Sequence, residues 1–144
     1  MDTVEIGNSG ARVVLSDFET VDEYRRTYRI TVSDHGLRAS RLVTDYADPE
    51  SYEYPMNAPG FVDFAEGIAS DYRGWDGVRE WQPIQQDFAV TAESDRTGHA
   101  TLRVLLYGEP FLGGWSAGVE IVLDVIERER LAKALAAFFG PRAA

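Results

Sequence analysis

Between positions 61 and 75 large apolar residues recur at helical spacing, and on both sides of that stretch the pattern changes to a period of two. Phe61, Phe64, Ile68, Tyr72 and Trp75 would share one side of a helix and offer it to a sheet. Asp63 and Glu66 fall in the early turns, where the helix dipole favours carboxylates. Gly74 stands where a left-handed cap would end the helix.

The flanking segments predict strands. Thr3 to Ile6 and Arg12 to Ser16 are short β-rich runs around the turn cluster Gly7-Asn8-Ser9-Gly10, an opening hairpin. Asp17 to Glu23 carries four carboxylates and predicts a solvated loop. Tyr24, Tyr28, Ile30 and Val32 then fall largely on alternate positions, with Arg25, Thr27, Arg29 and Thr31 between them, as in a half-buried strand. Asp34-His35-Gly36 supplies a turn, and Leu37 to Thr44 is the hairpin partner. Arg41 is in phase there with Leu37, Ala39 and Val43, which a bulge or an edge position would explain.

Asp45 to Gly60 interrupts the pattern. Pro49, Pro55 and Pro59 exclude a central strand and predict a long surface loop. After the helix and its connector, Phe88, Val90 and Ala92 alternate up to the turn Ser94 to Gly98, and Ala100, Leu102, Val104 and Leu106 form the returning strand. A glycine-rich connection at 108–114 leads to a last strand through Trp115, Ala117, Val119, Ile121 and Leu123. Asp124 and Glu127 have capping-box spacing, Leu131, Leu135 and Phe138 make an apolar stripe, and Gly140-Pro141 stops the second helix. The expected fold is α+β: a single, mostly antiparallel sheet of about six or seven strands with two helices packed on one face, in one domain spanning residues 1–144.

Composition narrows the function classes. With 144 residues the chain can bury a core without disulfides or metals, and with no Cys neither a disulfide framework nor a thiolate zinc site is available. A net charge of -10 argues against non-specific binding to nucleic acid or anionic membranes and fits a basic partner as well as plain solubility. No signal-peptide pattern and no apolar stretch of membrane-spanning length is visible, so a soluble cytoplasmic protein is expected.

Catalytic signals are sparse. The two histidines, His35 and His99, both fall at or beside predicted turns, where they read as polar turn residues unless the turns meet beside carboxylates. Neither has helical metal-ligand spacing, no G-x-S-x-G elbow is present, and no glycine loop has a strand-to-helix setting for phosphate. No enzyme, catalytic residue, metal or cofactor is expected.

Two stretches are candidates for binding. In the connector, Trp75 and Trp81 could floor a small-ligand pocket with Arg73 or Arg79 clamping a carboxylate, or the two rings could plug the gap between helix and sheet. The loop at 45–60 combines Tyr46, Tyr52 and Tyr54 with Asp45, Asp48, Glu50 and Glu53, amphipathic rings among charges of one sign. Such a surface would steer in a basic protein, or it is simply the solvated loop of an acidic chain.

The run Asp71-Tyr72-Arg73-Gly74-Trp75-Asp76-Gly77-Val78-Arg79-Glu80-Trp81 resembles the central motif of a bacterial family catalogued as domain of unknown function 6228. The order of elements agrees over most of the chain, and the resemblance implies a small stand-alone domain with no catalytic residues to carry over. In architecture alone the chain is similar to small α+β immunity proteins of bacterial toxin systems, including the WapA-immunity type. That likeness implies a basic partner such as a toxin domain.

Overall fold

The computed structural model describes residues 3–7, 10–22, 25–46, 58–83, 85–109 and 113–140. Along the chain run β1 (Val4–Gly7), β2 (Arg12–Thr20), β3 (Arg25–Asp34), β4 (Leu37–Tyr46), α1 (Ala58–Ser70), β5 (Val78–Trp81), β6 (Phe88–Ser94), β7 (Ala100–Tyr107), β8 (Ser116–Leu123) and α2 (Val125–Phe139). The strands form two four-stranded antiparallel meanders, sheet A in the order β1-β2-β3-β4 and sheet B in the order β5-β6-β7-β8. The expectation of a single sheet is therefore corrected. α1 and the segments around it separate β4 from β5, and those two strands do not pair. Period-two alternation reports which face of a strand is buried and is silent on which strands share a sheet.

Both sheets turn apolar faces to one core. Val13, Leu15, Tyr28, Ile30, Val32 and Val43 come from sheet A, and Phe88, Val90, Leu102, Val104, Leu106, Val119 and Ile121 from sheet B. β8 lies against β1, β2 and β3, while β4 meets β7. The helices pack on each other, α1 touching β5 of sheet B and α2 touching β1 and β8, one strand from each sheet. They are thus not two layers on one face of a common sheet. α2 opens as expected, with the Asp124 carboxylate accepting from the Glu127 amide at 2.7 Å and the Glu127 carboxylate accepting from the Asp124 amide.

Three elements differ from the sequence pattern for local reasons. β2 continues to Thr20 through an irregularity between Ser16 and Glu19, where Asp17 has φ of 57°. The extra residue turns Phe18 inward onto Phe138 and Phe139, 5.5 and 5.9 Å away between ring centroids. α1 begins at Ala58, so Pro59 lies in its first turn, where a missing amide costs nothing. The helix ends at Ser70, which leaves Tyr72 exposed and Trp75 beyond the helix altogether. Finally, Val78 to Trp81, part of the expected connector, forms the edge strand β5.

Arg41 is explained by an edge position. The β3–β4 register runs unbroken from Arg25↔Tyr46 to Asp34↔Leu37, and β4 is the outer strand of sheet A. Arg41 reaches inward to sheet B, pairing with Asp87 at 2.9 Å and donating to the carbonyls of Tyr107 and Gly108. Among the described residues no helix is long and apolar enough to cross a membrane.

Candidate functional site

The glycine- and tryptophan-rich run after α1 folds around the exposed carbonyls of that helix. The last carbonyls of a helix have few intrahelical donors, although the Gly67 carbonyl accepts locally from the Asp71 amide and the Ser70 hydroxyl, each at 3.2 Å. The last turn of α1 has no basic residue of its own to offer these carbonyls. Two arginines from other elements take the role. Arg79, on β5, donates from Nη1 to the Gly67 carbonyl at 3.3 Å and pairs with Asp71. Arg128, on α2, donates from Nη1 to the Ile68 carbonyl at 3.1 Å, from Nη2 to Gly98 at 3.3 Å and from Nε to Asp124 at 3.3 Å. Arg128 is 1 % exposed and has no carboxylate partner among the described residues, so three backbone carbonyls carry its charge.

Trp75 lies beneath both guanidinium groups, 4.7 Å from Arg79 and 5.9 Å from Arg128 measured to the ring centroid. It is buried, and its Nε1 has no hydrogen-bond partner. Gly74, with φ of 104°, brings the chain so close to the β6–β7 turn that a β-carbon there would fall 2.5 Å from Ser94 Oγ. Two strand positions beyond Arg79, Trp81 stacks on Phe61 with centroids 4.8 Å apart and planes within 10°. Within the motif, Gly74, Trp75, Arg79 and Trp81 therefore have packing or capping roles.

The four connector candidates do not converge on one pocket. Trp75 is in the core, and Arg73 lies over the ring of the exposed Tyr72, 5.5 Å away. Arg79 and Trp81 do share a surface: with Gly60, Asp63, Phe64, Gly67 and Glu80 they line an open groove of about 410 Å³ between α1 and β5. Phe64 and Trp81 give it half-buried aromatic walls, and Asp63 and Glu80 lie exposed along it. Sequence reasoning passed over Phe64 and Glu80 as site residues. Alternation along β5 places Arg79 and Trp81 on one side of the strand, which was the available signal.

Of the acidic candidates, Asp45 is in β4 and not in a loop; it is 2 % exposed and pairs with Arg26 at 2.7 Å. Tyr46 is the last residue of β4, and Asp48, Glu50, Tyr52, Glu53 and Tyr54 lie outside the described residues. Asp45 and Asp87 both approach Tyr28, whose hydroxyl is held well above its ordinary pKa by burial first and by these carboxylates next. Burial also raises Asp87, Arg41 opposing the shift and Glu109 adding to it. His35 and His99 stay with their own turns, each 3.5 Å from the carboxylate of Asp34 or Asp95 respectively. No group of three or more His, Asp or Glu that could hold a metal occurs among the described residues.

Comparison with known proteins places the chain. Residues 4–142 match the model of a family of unknown function (DUF6228), and the chain belongs to that family. No curated protein matches the sequence. Among solved structures, the plant transcriptional regulator PBF-2 is 9 % identical with a TM-score of 0.46, covering 99 % of this chain and 89 % of its own. WHY3 from Arabidopsis thaliana is 8 % identical with a TM-score of 0.48, covering 97 % and 89 %. Likenesses at this level carry no inference about function.

Proposed function

We propose that this domain is a non-enzymatic protein-binding module that receives a basic partner in the groove between α1 and β5, together with the acidic tyrosine-bearing stretch that precedes α1. The observation that carries this reading is the groove's lining. Phe64 and Trp81 offer aromatic surface, Asp63 and Glu80 offer carboxylates, and the cation in the lining, Arg79, is already neutralised by Asp71. A lysine or arginine of the partner would lay its stem on the rings and bring its charge to the carboxylates. The net charge of -10 would speed that encounter at low ionic strength. The partner class is a basic protein, such as a toxin domain met in the cytoplasm.

A second reading, a small-ligand module, is favoured by the shared exposure of Arg79 and Trp81 to one groove. Against it stand the burial of Trp75 and the separate position of Arg73.

Affinity capture from cell lysate at low and moderate salt separates the two, using the wild type and an Asp63→Lys/Glu80→Lys variant. A basic protein retained at low salt, released by salt and lost in the variant supports protein recognition; a second variant carrying Lys at 48, 50 and 53 tests the preceding stretch. A well-folded bait that captures nothing, yet changes its Trp fluorescence in a metabolite screen, overturns it in favour of a ligand.

A further inference from the structure

The outward face of sheet A gathers arginines and hydroxyls, with Glu5 and Glu19 at its margins. Strand register sets its side chains in rows across β2, β3 and β4: Arg12, Ser33 and Arg38, then Val14, Thr31 and Ser40, then Ser16, Arg29 and Leu42. Glu19, Thr27 and Thr44 continue the face in the next row, so one exposed carboxylate closes it at that end. Arg12 pairs with Glu5 on β1. Arg29 donates to Ser40 Oγ at 3.1 Å, and that hydroxyl is itself 3.1 Å from Thr31 Oγ1.

Arg29 and Arg38 have no carboxylate within ion-pair distance among the described residues, in a chain where 24 acidic residues face 14 basic ones. The other strand arginines (Arg12, Arg25, Arg26, Arg41, Arg79 and Arg103) are all ion-paired. The two exceptions share one face, separated only by hydroxyl-bearing positions and Leu42, which is 51 % exposed.

We propose that this face docks an acidic, extended segment of a partner protein, with carboxylates received by Arg29 and Arg38 and its polar groups by the Ser and Thr hydroxyls between them. The spacing selects a segment over a single small anion. Arg38 is level with Ser33, and Arg29 lies four residues further along β3, about 13 Å at strand rise. An extended peptide sets side chains i and i+4 on one face at that same distance of about 13 Å. A long phosphate backbone fits less well: these rows hold no aromatic ring for a base to stack on, and the net charge of -10 repels a polyanion as a whole. A short acidic segment senses chiefly the charges within a Debye length, about 10 Å at moderate salt. The face is distinct from the α1–β5 groove and independent of it.

The test is fluorescence anisotropy of the intact protein with a labelled eight-residue peptide of alternating glutamate and threonine. Saturable binding is expected at low salt, weakening about tenfold or more on raising salt to moderate strength. Arg29→Gln/Arg38→Gln should weaken it about tenfold, the loss of roughly 1.4 kcal/mol of charge-assisted contact. Arg130→Gln, the charge change of Arg38→Gln alone placed on an exposed position of α2, should leave binding unchanged. Circular dichroism checks the fold, and Arg38→Gln alone serves if the double variant is unstable. Absence of saturable binding, an equal loss in Arg130→Gln, or tighter binding of a thymidine oligonucleotide of equal length would overturn the proposal.

Discussion

The indole of Trp115 lies against the α-carbon of Gly108, so close that a β-carbon at 108 would stand 2.5 Å from Nε1. The contact closes the β7–β8 connection, where the Gly108 amide donates to the Trp115 carbonyl at 2.8 Å. Gly108→Ala must push the ring further into solvent. A permitted Gly→Ala change stabilises a fold by about 0.4–1 kcal/mol, whereas here a loss of about 1 kcal/mol is expected. Urea denaturation gives the sign, and a red shift in Trp emission reports the displaced ring.

Arg128→Leu removes three donors from carbonyls of α1, the β6–β7 turn and α2 while preserving much of the buried volume. Leaving buried acceptors bare should lower unfolding stability by about 3 kcal/mol or more. Arg128→Lys should recover only part, because a point charge cannot span three acceptors set around a planar fork. Chemical denaturation of the two variants compares them directly.

Arg41→Met strips the buried carboxylate of Asp87 of its cation. Removing one member of a buried pair costs about 3 kcal/mol. Asp87 titrates above the ordinary carboxylate range because burial outweighs Arg41, so loss of Arg41 should raise it further. The sign follows from proton binding. The folded state holds the Asp87 proton to higher pH than the unfolded state does, so this group favours folding below 3.8 and that contribution is lost as pH rises through the raised value. Carboxyl carbon NMR of wild type and variant measures both midpoints.

Asp95 behaves in the opposite sense. Its carboxylate accepts from the Thr97 amide at 2.7 Å and from the His99 amide at 3.1 Å, and these bonds, with Thr97 foremost, bring its pKa from 3.8 down to about 2. Its contribution is complete above 3.8 and fades as pH falls towards about 2. Asp95→Asn should therefore flatten the stability profile between those values, which acid titration followed by circular dichroism detects.

Charged residues in phase with apolar stripes were the most informative signals in the sequence, and only one of them was recognised there. Arg41 was legible as an anomaly in β4, and its partner Asp87 was not, because the pair spans two sheets. Arg128 precedes Leu131, Leu135 and Phe138 at helical spacing, which marks it for burial as clearly as the stripe marks the leucines. The eight strands and two helices were readable within a few residues, apart from β5 and the far end of β2. There a bulge at Asp17 hides the alternation that Phe18 resumes. The split into two sheets was not readable, since pairing partners depend on backbone hydrogen bonds and leave no mark on the burial period. In the motif at 71–81, density of Trp and Gly correctly marked a special backbone, while the arginines' caps on α1 depend on contacts across sequence, 60 residues in the case of Arg128 and Ile68.

That separation also sets an order of events during synthesis. The final turn of α1 ends at residue 70, but one of its carbonyls receives its donor only from residue 128, which also holds the turn at Gly98. A ribosome adding about 5–20 residues per second leaves that turn open to water for several seconds after its own residues have emerged. α1 should therefore remain frayed at its C-terminal end until α2 arrives, and the two sheets should close on their shared core as a late, concerted step.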